Sequence, residues 1–335
     1  MTEKVKDILS FLGRLAISVA LLFWLFKMVN WQDTIEALKH ADVTLILWAF
    51  AIHVLLQFAV LIRWFIFMRA LSFEAPIGQV CRYFFIGLFC NLFLPTSIGG
   101  DLVKAYGLSR GAGQKPKVYA SVVLDRLSGF AGLVIVALIA YFIGGKIIDA
   151  PSVIVPITVL TALSLAIGGM LFNRPVYKFF CRVFLTIPRF HKALMDMHAD
   201  VLLMRGKKRT GFGCIAFSCG IQVVSAYMYY LIALALHQHV HLLHFMIFTP
   251  IIAAVSFLPS IGGLGFREGG WVYLLGKVGI IGGIAMSLSL IGFLFVIIVG
   301  LIGGIFYVAS FSAGRVQCAP QDAGVAPSGP NGSNA

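Results

Sequence analysis

Three pairs of an acidic and a basic residue lie inside or directly beside long apolar stretches of this 335-residue chain. They are Asp101 with Lys104, Asp125 with Arg126, and Arg267 with Glu268. A charge at the centre of a membrane span costs about 2.5–3.5 kcal/mol, so charges in such places are candidates for function. A guanidinium group binds phosphate bidentately, and carboxylates can orient it, bind a cationic group or take up a proton. The six residues therefore predict a substrate-binding site for a charged group.

Positions near the membrane surface offer another explanation for some of these charges. Asp125 and Arg126 also fit a helix-end pair whose arginine extends to the interface. Arg14, Arg63 and Arg82 lie in or near apolar stretches too, but each is close to a predicted cytoplasmic edge. For these three arginines we expect interfacial extension of the side chain and no part in the site.

A broken apolar motif occurs twice, at residues 91–101 and 256–268. Each copy contains Phe-Leu-Pro, then Ser-Ile-Gly-Gly, then charged residues. Proline removes a backbone donor and glycine permits tight turns, so both copies predict interrupted helices. The predicted hairpin positions are Pro95, Gly99, Gly100, Pro259, Gly262, Gly263 and Gly265. Broken segments at corresponding places in two halves indicate a substrate site near the bilayer midplane, although two loops joining full spans would explain the motif as well.

The apolar stretches define the elements that must position the site. AVILMFWYC make up 60% of the residues and DEKR 12%, with a mean hydropathy of +0.95, which is typical of a polytopic membrane protein. Stretches of about 20 apolar residues span a bilayer. Six full spans are predicted at 8–29, 42–68, 118–143, 152–172, 211–236 and 280–309, with broken segments at 79–98 and 245–264.

These elements predict an all-α membrane protein with inverted repeats. The repeat units cover about 42–143 and 211–309, and each contains a span, a re-entrant broken segment and a second span. Together they form a transmembrane domain over 1–312, and the Gly-, Pro- and Ser-rich residues 313–335 predict a disordered tail. Lys and Arg then fall seventeen on the inside and four on the outside, which predicts cytoplasmic N- and C-termini.

The predicted topology accounts for the net charge of +13, which therefore does not indicate a nucleic-acid partner. Residues 174–209 contribute nine bases against Asp196 and Asp200. They form either an ordinary positive-inside loop or an interfacial helix that contacts lipid headgroups. The six cysteines show no CxxC spacing, and the sequence HxHxHxxH at 237–244 lacks a neighbouring carboxylate, so we expect no metal and no cofactor.

The residues resemble a known membrane family. Gly99-Gly100-Asp101 with Lys104, Asp125-Arg126 before Gly129, and the run from Pro259 to Glu268 are similar to the lysylphosphatidylglycerol synthase transmembrane-region family, the flippase-like module of bacterial multiple-peptide-resistance proteins. The resemblance covers about residues 8–311. It implies a multi-pass protein of the bacterial cytoplasmic (inner) membrane that moves a lipid between leaflets. The aminoacyltransferase domain of the two-domain members has no counterpart here, so we expect a transporter and no synthase activity.

The predicted substrate is an anionic phospholipid, an aminoacylated phospholipid, or a polyprenyl-linked or glycolipid. Membrane lipids are the expected partners, together with a lipid or cell-envelope biosynthetic enzyme. Two other functions stay open at this point. The same sequence features also fit a protein that is a non-catalytic membrane partner of such an enzyme, or a polytopic transferase that acts on lipid-linked substrates. No GxxxxGK[ST] motif occurs, so ATP is not the expected energy source.

Overall fold

A computed structural model describes residues 31–94, 99–110, 115–144, 151–172, 201–202, 204–256 and 264–312. Every regular element in these ranges is helical, which confirms the predicted all-α class. Ten α-helices are described: α1 Trp31–Lys39, α2 Val43–Ala70, α3 Ile77–Phe93, α4 Gly99–Ser109, α5 Lys115–Gly144, α6 Pro151–Phe172, α7 Lys208–Ala235, α8 Leu242–Val255, α9 Phe266–Gly276 and α10 Gly282–Ser312. A 3-10 turn, Met204–Lys207, leads into α7.

Four of the described helices are long and apolar enough to cross a membrane, namely α2, α5, α7 and α10. They coincide within a few residues with the spans predicted at 42–68, 118–143, 211–236 and 280–309. Helix α6 coincides with the span predicted at 152–172 and has 22 residues. The span predicted at 8–29, most of the basic segment 174–209 and the tail 313–335 lie outside the described residues.

Two units of four helices repeat in the chain with matching lengths. Helices α2 to α5 contain 28, 17, 11 and 30 residues, and helices α7 to α10 contain 28, 14, 11 and 31. Each predicted broken segment is therefore a pair of short helices between two long ones. Residues 95–98 and 257–263, with the predicted hairpin positions Pro95, Pro259, Gly262 and Gly263, lie outside the described residues.

The first helices of the two units pack against each other and run antiparallel. The backbone N–H of Asp42, just before α2, donates to the carbonyl of Ala235 at the end of α7 over 2.9 Å. Arg63, late in α2, reaches Ser218 in the middle of α7. Helices α2 and α7 thus point in opposite directions, as a pair of inverted units requires.

The short helices also exchange partners between the units. Helix α3 packs on α10 of the second unit and α8 packs on α5 of the first, whereas α4 and α9 pack on the last helix of their own unit. The contact between α3 and α10 is close because Gly303 lies against the backbone carbonyl of Phe85, where a Cβ atom would overlap the oxygen. The two units therefore interlock in a single helical bundle and do not form two separate bundles side by side.

Gly303→Leu is expected to lower the free energy of unfolding by about 1–3 kcal/mol, since overpacking forces the backbones apart. Gly220→Leu on α7 is the matched control, because a Cβ atom there meets nothing within 4 Å. Unfolding of both variants in mixed micelles, followed by tryptophan fluorescence, measures the difference. Equal stability of the two variants would contradict the close α3–α10 contact.

Candidate functional site

Arg63 and Asp125 form a buried ion pair where α2, α5 and α7 meet. Arg63 Nε donates to Asp125 Oδ1 over 2.7 Å, and Arg63 Nη1 donates to Ser218 Oγ over 2.8 Å. Their side chains are only 6% and 3% exposed. Gly132 allows α5 and α7 to lie this close together, because a Cβ atom at Gly132 would lie 2.6 Å from Ser218 Cβ. The pair thus joins the first helices of both units through α5.

A second cluster holds one carboxylate between two bases. Lys104 Nζ lies 2.9 Å from Asp101 Oδ1, and Arg126 Nε donates to Asp101 Oδ2. The lysine ammonium also lies 4.7 Å from the centre of the Trp64 ring, a cation–π contact. Asp101 and Lys104 are buried, whereas the side chain of Arg126 is 38% exposed. Arg126 is therefore the most accessible member of the two clusters.

The contact between α3 and the start of α4 places Asp101 at the site. Asn91, near the end of α3, accepts a 2.8 Å hydrogen bond through Oδ1 from the backbone N–H of Gly100. A Cβ atom at Gly100 would overlap the carbonyl oxygen of Gly87, so only glycine allows α3 and α4 to approach this closely. Asp101 follows in the first turn of α4, where the positive end of the helix dipole favours a carboxylate.

A cavity of about 290 Å³ lies beside both clusters. Its described lining comes from helices of both units, namely α2, α3, α4, α5, α7 and α8. The polar residues of this lining are Gln57, Arg63, Lys104, Asp125, Arg126 and Gln222. The two glutamines come from α2 and α7, the antiparallel first helices of the units. Four basic or acidic groups and two amides in one internal space can bind a polar, charged group.

The third predicted pair forms a separate cluster at the start of α9. Arg267 Nη2 donates to Glu268 Oε1, and Glu268 Oε2 accepts a 2.7 Å hydrogen bond from the backbone N–H of Gly265. The Arg267 guanidinium lies 4.4 Å from the centre of the Phe293 ring. Gly265 has a φ of +89°, a backbone conformation that favours glycine. These contacts fix the turn into α9.

The structure brings together four of the six predicted site residues. Asp101, Lys104, Asp125 and Arg126 form the adjoining clusters described above, whereas Arg267 and Glu268 are not part of the described cavity lining. Asp125 and Arg126 do not pair with each other in the described contacts; each binds a carboxylate or guanidinium from another helix.

The expectation for Arg63 was wrong. Its side chain is 6% exposed, lines the cavity and bonds to Asp125, and it does not extend to an interface. The residues missed from sequence are Arg63, Gln57 and Gln222. Position offered one signal for Arg63, which stands 21 residues into a 28-residue apolar helix. Nothing in the local sequence distinguishes the two glutamines.

Within the described ranges, no three His, Cys, Asp or Glu residues lie close enough to hold a metal ion. Two histidines of the segment 237–244 make hydrogen-bond contacts at the ends of neighbouring helices. His237 contacts the carbonyl of His40 over 3.0 Å, and the side chain of His241 accepts from the N–H of Leu243 at the start of α8.

Apolar helices of spanning length around buried charges define a multi-pass membrane protein. The chain belongs to the lysylphosphatidylglycerol synthase transmembrane-region family, since the model described as "Lysylphosphatidylglycerol synthase TM region" matches residues 11–304. This match confirms the predicted family and indicates a membrane function related to lipids. No curated protein is detectably similar to the chain.

Proposed function

We propose that this protein moves a lipid with a phosphodiester headgroup between the leaflets of the bacterial cytoplasmic membrane. The observation that carries the proposal is the cavity between the two units, which Arg63, Lys104, Asp125 and Arg126 line. Such groups are costly inside a membrane, and a bound polar headgroup is the ligand that a multi-pass protein of a lipid-related family would place there. The protein acts in this proposal as a transporter and not as an enzyme.

The local charge favours a singly charged anion. Arg63, Lys104 and Arg126 contribute three positive charges, and Asp101 and Asp125 contribute two negative ones. A phosphodiester carries one negative charge and would neutralise the remainder. Arg126 is the group best placed to contact it, because it is the most exposed of the five and its planar guanidinium suits phosphate.

Alternating access follows from the arrangement of the two units. In the proposal, the helix pairs α3–α4 and α8–α9 are re-entrant, and the units lie inverted in the bilayer with both termini of the chain in the cytoplasm. Movement of one unit against the other would expose the cavity first to one leaflet and then to the other. The Gly265–Glu268 turn supports the second re-entrant pair without contacting the headgroup. The expected partners are membrane lipids and an enzyme of lipid or envelope biosynthesis.

Arg126→Ala is expected to reduce lipid translocation about 10- to 100-fold, since a hydrogen-bonded charge contact is worth about 1.5–3 kcal/mol. The assay uses proteoliposomes with a fluorescent phosphatidylglycerol and a quencher that reaches only the outer leaflet. Arg69→Ala is the control, because Arg69 is exposed and its nearest carboxylate, on the exposed Glu74, is 3.9 Å away.

Two results would contradict the proposal. Translocation no faster than in protein-free liposomes would show that the protein does not transport lipid. Co-purification with a biosynthetic enzyme would then favour the role of a non-catalytic membrane partner. Equal translocation rates for Arg126→Ala and the wild-type protein would show that the cavity takes no part in transport.

A further inference from the structure

Helix α5 presents two opposite faces to two different spaces. One face lines the polar cavity, through Asp125, Arg126, Gly129 and Leu133. The other face lines an apolar groove between α5, α6 and α7, through Leu124, Leu127, Ser128 and Ala131. The second set has the spacing i, i+3, i+4, i+7, which places its side chains on one side of a helix. Charged and apolar surfaces thus lie back to back on one element.

The apolar groove has a volume of about 480 Å³. Glycines widen it, since Gly168 on α6 and Gly211 on α7 line it and a Cβ atom at either position would meet nothing within 4 Å. Phe212, also in the lining, is 72% exposed, so the groove opens to the outside of the described helices. An acyl chain in this groove would gain dispersion contacts with the apolar lining, so hydrocarbon is the expected occupant.

The groove and the polar cavity are neighbours through one side chain. Phe130 lines both spaces, at the edge of α5 where the two faces meet. A lipid matches these two neighbouring spaces, because its headgroup is polar and charged while its chains are apolar.

We infer that the groove receives one acyl chain of the same lipid whose headgroup occupies the polar cavity, with Phe130 between the two parts. The inference rests on the proposed function and deepens it. In a simpler scheme only the headgroup enters the protein and both chains stay in the bilayer. Here the protein holds a chain as well, so it selects for the chain and not only for the headgroup.

Two pairs of neighbouring glycines provide matched variants for a test. Gly168→Leu and Gly211→Leu fill the groove. Gly169→Leu and Gly213→Leu add the same side chain on the same helices, at exposed positions outside the groove lining where a Cβ atom meets nothing within 4 Å. Leucine is a better helix former than glycine, so all four variants should fold. Thermal unfolding of each in detergent verifies this.

The probe is a phosphatidylglycerol that carries a photoreactive diazirine near the end of one acyl chain. Crosslinking in proteoliposomes, mapped by mass spectrometry, is expected to label groove residues on α5, α6 and α7. Each groove-filling variant should lower both this labelling and translocation about tenfold, because the leucine displaces roughly two methylene groups of the chain at about 0.8 kcal/mol each. The exposed leucine variants should resemble the wild-type protein.

The outcomes separate the inference from the proposed function. If the groove-filling variants label and transport like their exposed partners while Arg126→Ala loses transport, the groove inference fails and the headgroup site stands. If neither the groove variants nor Arg126→Ala changes transport, the headgroup site fails as well, and translocation no faster than in protein-free liposomes would overturn the proposed function itself. Acyl-chain labelling that leaves the groove residues of the wild-type protein unlabelled would also overturn the inference.

Discussion

Replacing Arg63 by leucine is expected to lower the free energy of unfolding by about 3–5 kcal/mol, the usual cost of removing one partner of a buried ion pair. The loss leaves Asp125 buried, with a carboxylate that has no counter-charge at 2.7 Å, and it leaves Ser218 without its donor. Because Arg63 joins α2 to α5 and α7, the change weakens the contact between both units. Unfolding in mixed micelles titrated with SDS measures it.

Two variants make this prediction specific. Arg63→Met/Asp125→Leu removes both charges and should recover most of the lost stability, since apolar residues of similar size often replace a buried pair without net cost. Arg69→Leu on the same helix should change stability by less than about 0.5 kcal/mol, because Arg69 and Glu74 are exposed. A single Arg63→Leu change no larger than that of Arg69→Leu would show that the buried pair does not hold the units together.

Asp101→Asn is expected to change which headgroup the protein prefers. The substitution raises the local charge from one positive unit to two and keeps one of the two oxygens, so the side chain still accepts a hydrogen bond from either Lys104 or Arg126. A phosphomonoester such as phosphatidic acid carries about −1.5 to −2 charges at neutral pH, and the variant complements it better. The translocation rate of phosphatidic acid relative to phosphatidylglycerol should rise about tenfold, which corresponds to about 1.4 kcal/mol.

The ratio of the two lipids is the measurement, because it cancels differences in protein yield and orientation in the liposomes. Lys104→Met lowers the local charge to zero and should change the preference in the opposite direction, towards a zwitterionic headgroup. Asp42→Asn is the matched control. Asp42 caps α2 by accepting from the N–H of Thr44 over 2.8 Å, and asparagine caps a helix equally well. An unchanged lipid ratio in Asp101→Asn would mean that the cluster charge does not select the headgroup.

The long helices could be predicted closely because their signal is local. A run of about 20 apolar residues identifies a spanning helix whatever lies elsewhere in the chain, and α2, α5, α7 and α10 begin and end within a few residues of their predicted spans. The paired broken segments were visible for a similar reason, since proline and glycine act on their own backbone. The helix lengths of the two units match at the positions that the motifs indicated.

The pairing of charges was less predictable because neighbours in sequence need not face each other. Asp125 and Arg126 are consecutive on α5, and consecutive helical side chains point in different directions. Asp125 binds Arg63, 62 positions earlier, and Arg126 binds Asp101, 25 positions earlier. Spacing does identify Asp101 with Lys104, because residues three apart lie on one face of a helix. Arg267 and Glu268 pair at the start of α9, where Glu268 also binds the turn.

The sequence alone determined the class of the protein, the long helices, the two broken segments and four of the charged residues at the site, because each depends on composition or on short spacing. Only the tertiary structure decided which charges meet and what they surround. The crossing of α2 and α7 brings Arg63, Gln57 and Gln222 to one cavity and leaves Arg267 and Glu268 in another cluster. These contacts join residues far apart in the chain, and the direction in which helices pack fixes them.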